Sequence, residues 1–145
     1  VPYIQTLFNA LKIPSIELVG YEADDIIGPL AKQAEKESCA VVMVTPDKDF
    51  AQLVSENIFV YRPARMGNGI EIWGITEVQK KFEITHPEQV IDYLGMMGDA
   101  VDNIPGLPGV GDKTAKKFLA QYGSMEAVGQ YSKSKREIKR KNRSQ

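Results

Sequence analysis

The stretch Val41-Val-Met-Val-Thr45, apolar and mostly β-branched, runs directly into Pro46-Asp47-Lys48-Asp49. Such a run reads as a strand buried on both faces, so the rest of the chain has to supply cover on two sides. It also puts two carboxylates just beyond the strand's carboxyl end, where open parallel α/β sheets bind their ligands. The neighbouring segments fit that frame. Ile16–Val19 is a short apolar run that predicts a strand. Ala23–Glu37 carries Ile26, Ile27, Leu30, Ala31 and Ala34 at helical period, with Pro29 about a turn inside. Ile58–Tyr61 reads as a further strand. Alternation of strand and helix up to about residue 60 predicts an α/β fold on a parallel sheet.

The flanking segments predict different structure. Tyr3–Leu11 reads as a short amphipathic helix with Ile4, Leu7, Phe8 and Leu11 on one face, ended by Pro14. Asp49–Ser55 predicts a short helix. Gly67-Asn68-Gly69 is a turn signal, with Ile70–Trp73 returning as a strand. From Thr76 onward the pattern is helix and turn only, with helices to Phe82 and from Pro87 through Met97. The chain is therefore expected to divide into an α/β part (1–86), a helical part (87–130) and a polar, basic tail (131–145) that is expected to be poorly ordered. Charge follows the same division. Residues 1–110 hold 16 acids and 8 bases, a net of −8; residues 111–145 hold 3 acids and 10 bases, a net of +7. One end suits cations and the other polyanions. No apolar run is long enough for a membrane helix. The lone Cys39 excludes an internal disulfide and suits a reducing cytoplasm; beside Val41–Val44 it reads as a quiet, buried thiol.

Three acidic clusters stand out: Glu22, Asp24 and Asp25; Asp47 and Asp49; Asp99 and Asp102. Taken singly, each reads equally as a helix cap or a turn. Taken together, two of them fall at strand ends. If they share a cleft, each pair of charges about 4 Å apart costs about 4 kcal/mol at an effective dielectric near 20. Magnesium or manganese ions, which prefer oxygen ligands, would relieve that cost. Asp24, Asp25, Asp47 and Asp49 are the candidate catalytic set, joined by Glu22, Asp99 and Asp102 as candidate metal ligands.

Gly106-Leu-Pro-Gly109-Val-Gly111-Asp112-Lys113-Thr114 comes close to a phosphate-binding P-loop, but Asp112 intrudes between glycine and lysine and no strand precedes it, which argues against nucleotide hydrolysis. The alternative is a helix–hairpin–helix-type turn, with glycines admitting a phosphate close to the backbone at a helix N-terminus. Gly106, Gly109, Gly111, Lys113, Thr114, Lys116 and Lys117 are then the candidate contacts to a nucleic-acid backbone, independent of base sequence. A purely structural turn between helices is the plainer alternative. Tyr21, beside the first acids, reads either as a core residue, the commoner fate, or as a platform for a base.

The segments "GYEADDIIGPLA", "TPDKDFAQLV" and "VIDYLGMMGDAVDNIPGLPGVGDKTAKKFLAQYGS" together resemble the bacterial 5′-nuclease family, the exonuclease domains of DNA polymerase I and their flap-endonuclease relatives. The resemblance runs from about residue 3 to about residue 128, with Pro46 and Phe50 standing where the family commonly has glycine and leucine. It implies a partial PIN-like nuclease core followed by a helix–three-turn–helix region. It further implies hydrolysis of phosphodiesters in 5′ flaps and primer RNA with two magnesium or manganese ions, and potassium at the glycine turn. The implied setting is the bacterial cytoplasm, at the nucleoid, with a polymerase domain following in the parent chain. The family's opening strand and basic arch have no counterpart here, so the chain is expected to begin mid-domain. By itself it would be a binder of duplex backbone, with weak cleavage or none.

Overall fold

Helix α1 (Pro2–Ala10) is followed by an irregular segment and helix α2 (Ala23–Lys36). Strand β1 (Val41–Val44), a 3₁₀ turn (Asp49–Leu53), β2 (Ile58–Arg62) and β3 (Glu71–Trp73) come next, then α3 (Ile75–Phe82) and α4 (Gln89–Met97). A two-residue hairpin, β4 (Gly98–Asp99) with β5 (Ile104–Pro105), leads to α5 (Asp112–Tyr122). The computed structural model describes residues 2–63, 69–100, 102–130 and 132. The basic tail, Ser132 apart, and most of the Gly67–Gly69 turn lie outside the described residues.

The sheet has the order β1-β2-β3. β1 runs parallel to β2, with Val41 opposite Ile58 and Val44 opposite Tyr61; β3 returns antiparallel, with Val60 opposite Trp73. The central strand alternates as its sequence dictates: Ile58 and Val60 are fully buried, and Phe59 between them and Tyr61 after them are not. With Val78 of α3 and Val90 of α4 they lie at the bottom of a single buried cluster that reaches Leu119 in α5. Each such side chain contributes about 1.5–3 kcal/mol by leaving water. Edge-on aromatic contacts link the same elements: Trp73 meets Phe82 at 6.2 Å, and Phe82 meets Tyr93 at 5.3 Å. The buried cluster therefore crosses the division expected near residue 86.

Four expectations fail. Ile16–Val19 forms no strand; Ile16, Leu18 and Val19 are exposed, Val19 falls in a turn, and among the described residues no strand pairs with them. β1 is an edge strand buried on one face only: Met43 is inside, whereas Val42 and Val44 are 57% and 68% exposed. A hollow of about 340 Å³ lies beside them, lined also by Ile27 and Leu30, and the apolar face of α1 is likewise open. Cys39 is exposed, at the surface turn between α2 and β1. After residue 75 the chain is not helix and turn alone, because Gly98–Asp99 pairs with Ile104–Pro105.

Helix α2 continues through Pro29, its seventh residue, to Lys36, so the proline costs one helical hydrogen bond without ending the helix. Gly98 and Gly106 let the hairpin close against the end of α4. A Cβ on Gly98 (φ +70°) would stand 2.2 Å from the Gly106 nitrogen, and one on Gly106 would stand 2.3 Å from the Met97 carbonyl oxygen.

Candidate nuclease site and nucleic-acid interface

The three acid clusters reach one region by three different routes. Asp24 and Asp25 occupy the first turn of α2. Asp47 and Asp49 follow β1, in a loop closed by its own side chains. The Asp47 N–H donates to Thr45 Oγ1 at 3.1 Å, and the Asp49 N–H donates to Asp47 Oδ1 at 2.9 Å. Asp99 lies on β4, and Asp102 lies in the turn of the hairpin.

Asp24 and Asp49 line one hollow of about 160 Å³; Asp49 and Asp99 line a second of about 200 Å³. Asp49 is common to both. Burial, then the charges of Asp47, Asp25 and Asp102, push the Asp24 carboxyl above the usual carboxylate range. Burial, then Asp47, pushes Asp49 the same way, against the pull of Lys48 and reinforced by Asp99 and Asp24. Residues far apart in sequence thus feel each other's charge.

The individual roles differ. Asp25 Oδ2 accepts the Glu22 N–H at 3.0 Å, so this carboxylate closes the start of α2. Glu22 itself is exposed. Lys48, between the two aspartates of its loop, donates to Asp99 Oδ2 at 3.3 Å and places a cation among the acids. Asp49 Oδ1 is buried with no hydrogen-bond partner. An unpaired buried carboxylate oxygen is costly, and a cation or a proton is what it lacks. Among the described residues, no three acidic, histidine or cysteine side chains stand close enough together to hold a metal ion as they are. The acids meet pairwise, with Asp49 between, and the donor chemistry fits a hard divalent ion. Tyr21, expected in the core, is 61% exposed beside this cluster.

Sequence reading missed the support of the acid loop. Arg62 Nη2 donates to the Pro46 carbonyl at 2.7 Å, while its guanidinium lies 4.4 Å from the Trp73 ring centre. Nothing in the local sequence joins residues 46, 62 and 73; β pairing does.

The glycine turn follows the hairpin in the chain and leads into α5. Gly109 has φ +76°, and Gly111 caps α5; a Cβ on either would meet nothing within 4 Å, so both backbones face open space. Lys113 and Lys117 are exposed on the helix that follows, and Thr114 is half-buried. Two candidates behave otherwise. Gly106 is packed on α4, and its smallness serves that contact. Lys116 is largely covered, and its Nζ reaches Asp112 at 3.1 Å and Glu83 at 3.3 Å.

Acids from three segments thus meet at Asp49, and the hairpin joins them to a glycine turn that opens a lysine-bearing helix. The chain belongs to the 5′-3′ exonuclease family: residues 1–83 match its N-terminal resolvase-like domain and residues 85–145 its C-terminal SAM fold. It is 46% identical over 127 residues to DNA polymerase I of Bacillus subtilis, covering 88% of this chain and 14% of that protein. To a 5′-3′ exonuclease of Aquifex aeolicus it is 43% identical over 128 residues, covering 88% of this chain and 43% of that one. The chain thus spans a minor part of these relatives. Its fold is similar to that of the T5 5′-exonuclease with bound zinc ions, at TM-score 0.74 and 22% identity over 88% of this chain and 46% of that one. It is also similar to the catalytic core of Rad2 in complex with a DNA substrate, at TM-score 0.68 and 19% identity over 99% of this chain and 43% of that one.

Proposed function

We propose that this chain is part of a metal-dependent 5′ nuclease that hydrolyses phosphodiesters in 5′ flaps and primer RNA. The observation that carries the reading is the convergence of acids from three segments on Asp49, whose Oδ1 is buried and unpaired. Asp24, Asp47, Asp49, Asp99 and Asp102 would hold divalent ions, magnesium or manganese and two in number, with Asp25 and Glu22 at the periphery. Ions held there supply positive charge to the reacting phosphoryl group and lower the pKa of water. The chain's own residues do the rest. Arg62 and Thr45 fix the loop that carries Asp47 and Asp49. Lys48 balances the acids through Asp99. Gly109, Gly111, Lys113, Thr114 and Lys117 hold the duplex backbone, with potassium as a further ion at that turn. A polymerase domain in the same parent chain and a bacterial cytoplasmic setting complete the reading.

The relatives support it by their names and by the metal and DNA that two of the similar structures contain. The test is cleavage of a 5′-flapped duplex by the nuclease that carries this stretch, in magnesium. Asp49→Asn and Asp47→Ala are expected to remove cleavage by at least about a hundredfold, with duplex binding retained. Unchanged cleavage in both variants would end the proposal. For the 145-residue chain alone, the open edge of β1 and the pairwise arrangement of the acids favour a second reading: it binds duplex without cutting it. Robust flap cleavage by this chain would overturn that.

A further inference from the structure

Asp112 poses a problem that the proposed function leaves unanswered. It stands in the first turn of α5, directly after Gly111, where a free carboxylate would repel the phosphate that the turn is meant to admit. The structure shows where that charge goes. Asp112 Oδ1 accepts the Tyr93 hydroxyl at 2.7 Å and pairs with Lys116 Nζ at 3.1 Å. Lys116, with a side chain only 17% exposed, also reaches Glu83 at 3.3 Å. One network therefore joins the end of α3, the middle of α4 and the first two turns of α5. Lys113 and Lys117, on the same helix, remain exposed.

We propose that Tyr93 and Lys116 are positioning residues that hold the Asp112 carboxylate away from the glycine turn, Lys116 as its counterion, and that Glu83 anchors the Lys116 ammonium in place. In this arrangement Lys116 is the counterion of Asp112 and no phosphate contact, and the cationic surface of α5 comes from Lys113 and Lys117. The inference rests on the backbone-binding reading of this turn. It differs from a plain lysine-rich helix in a way that can be measured. A lysine on phosphate changes the salt dependence of binding, whereas a lysine that masks an acid changes affinity through that acid.

The experiment is a double-mutant cycle on the 145-residue chain, read by fluorescence anisotropy on a labelled duplex across a salt series. Lys116→Met is expected to weaken binding about fivefold, with the slope of log affinity against log salt unchanged. Asp112→Asn alone is expected to shift affinity less than about twofold, and Asp112→Asn combined with Lys116→Met to restore it. Lys117→Met is expected to flatten the slope by about 0.9. A Lys116→Met slope flattened by the same amount, with no restoration by Asp112→Asn, would overturn the proposal. Amide hydrogen exchange supplies an arm independent of DNA. In Tyr93→Phe and Lys116→Met the amides of Thr114 and Ala115, which donate to the Gly111 carbonyl, are expected to exchange about tenfold faster, with those of β2 unchanged. Exchange at Thr114 and Ala115 that is unaltered in both variants would overturn the network even if the chain binds no duplex, a result that would by itself count against the backbone-binding reading.

Discussion

The guanidinium of Arg62 serves three neighbours at once: the Pro46 carbonyl, the Trp73 ring and, at 3.6 Å, the Glu71 carboxylate. A planar group that donates in its plane and stacks on its face can do this, and an ammonium cannot. Arg62→Lys is therefore expected to cost about 1–2 kcal/mol, measured by urea unfolding. In the complete nuclease it is expected to lower kcat more than KM, because it loosens the acid loop and not the duplex grip. Gly98 presents a sharper case. Alanine there would need φ +70° and would drive its Cβ to 2.2 Å from backbone, so Gly98→Ala is expected to cost about 3 kcal/mol or more. Gly109→Ala, at a similar φ in open space, is expected to cost only about 1 kcal/mol. Sequence reading chose Gly106 and Gly109 and passed over Gly98. A glycine in the chain announces freedom but not what it faces, and the approach of Gly98 to Gly106 exists only once β4 pairs with β5.

At the scale of elements, the helices were the most legible. Their apolar residues recur every three or four positions, and Ala23–Lys36, Ile75–Phe82 and Gln89–Met97 all lie within a few residues of where that period puts them. Strands were less so, since a strand is defined by its partner. Ile58–Arg62 has partners on both sides and forms; Ile16–Val19 has none among the described residues and stays irregular, turning at Val19. The two-residue strands of the hairpin are too short to show any alternation. The link between α2 and the 3₁₀ turn was equally invisible. There the Ser55 hydroxyl donates to Glu35, and Lys32 reaches both Glu35 at 3.0 Å and the Leu53 carbonyl at 3.3 Å. The Ser55 and Lys32 bonds hold the Glu35 carboxyl below its usual range. A carboxylate lowered in the folded state contributes stability above its unfolded pKa, about 4.3, and loses it as pH falls through the folded value. Glu35→Gln is accordingly expected to melt below the native chain at pH 7. The two melting temperatures should draw together below about pH 4; a gap that stays constant with pH would mean that the link is not ionic.

For the molecule as a whole, the acids of the site come together from three segments while the exposed lysines Lys113 and Lys117 stand on α5; most of the basic charge counted in residues 111–145 lies outside the described residues. Assembly of the acids has a thermodynamic signature. Asp24 and Asp49 are raised above the usual range, Asp49 by burial first and neighbouring carboxylates next. A carboxyl raised in the folded state holds its proton longer there than in the unfolded chain, so this cluster destabilises the fold as pH climbs from about 3.9 through the folded values. At neutral pH without divalent ions the site is under repulsion, and Asp49→Asn removes a charge whose buried Oδ1 makes no hydrogen bond to lose. That variant is expected to melt above the native chain in a chelating buffer, as functional sites commonly trade stability for chemistry. Manganese should invert the order. An ion bound only by the folded state adds about 2.7 kcal/mol at a hundred times its Kd, and the native chain, with the full set of acids, should gain more of this than Asp49→Asn. Melting curves of both proteins against manganese concentration are therefore expected to cross. Parallel curves would mean that Asp49 carries strain without holding an ion, and the place of this carboxylate at the centre of the site would have to be given up.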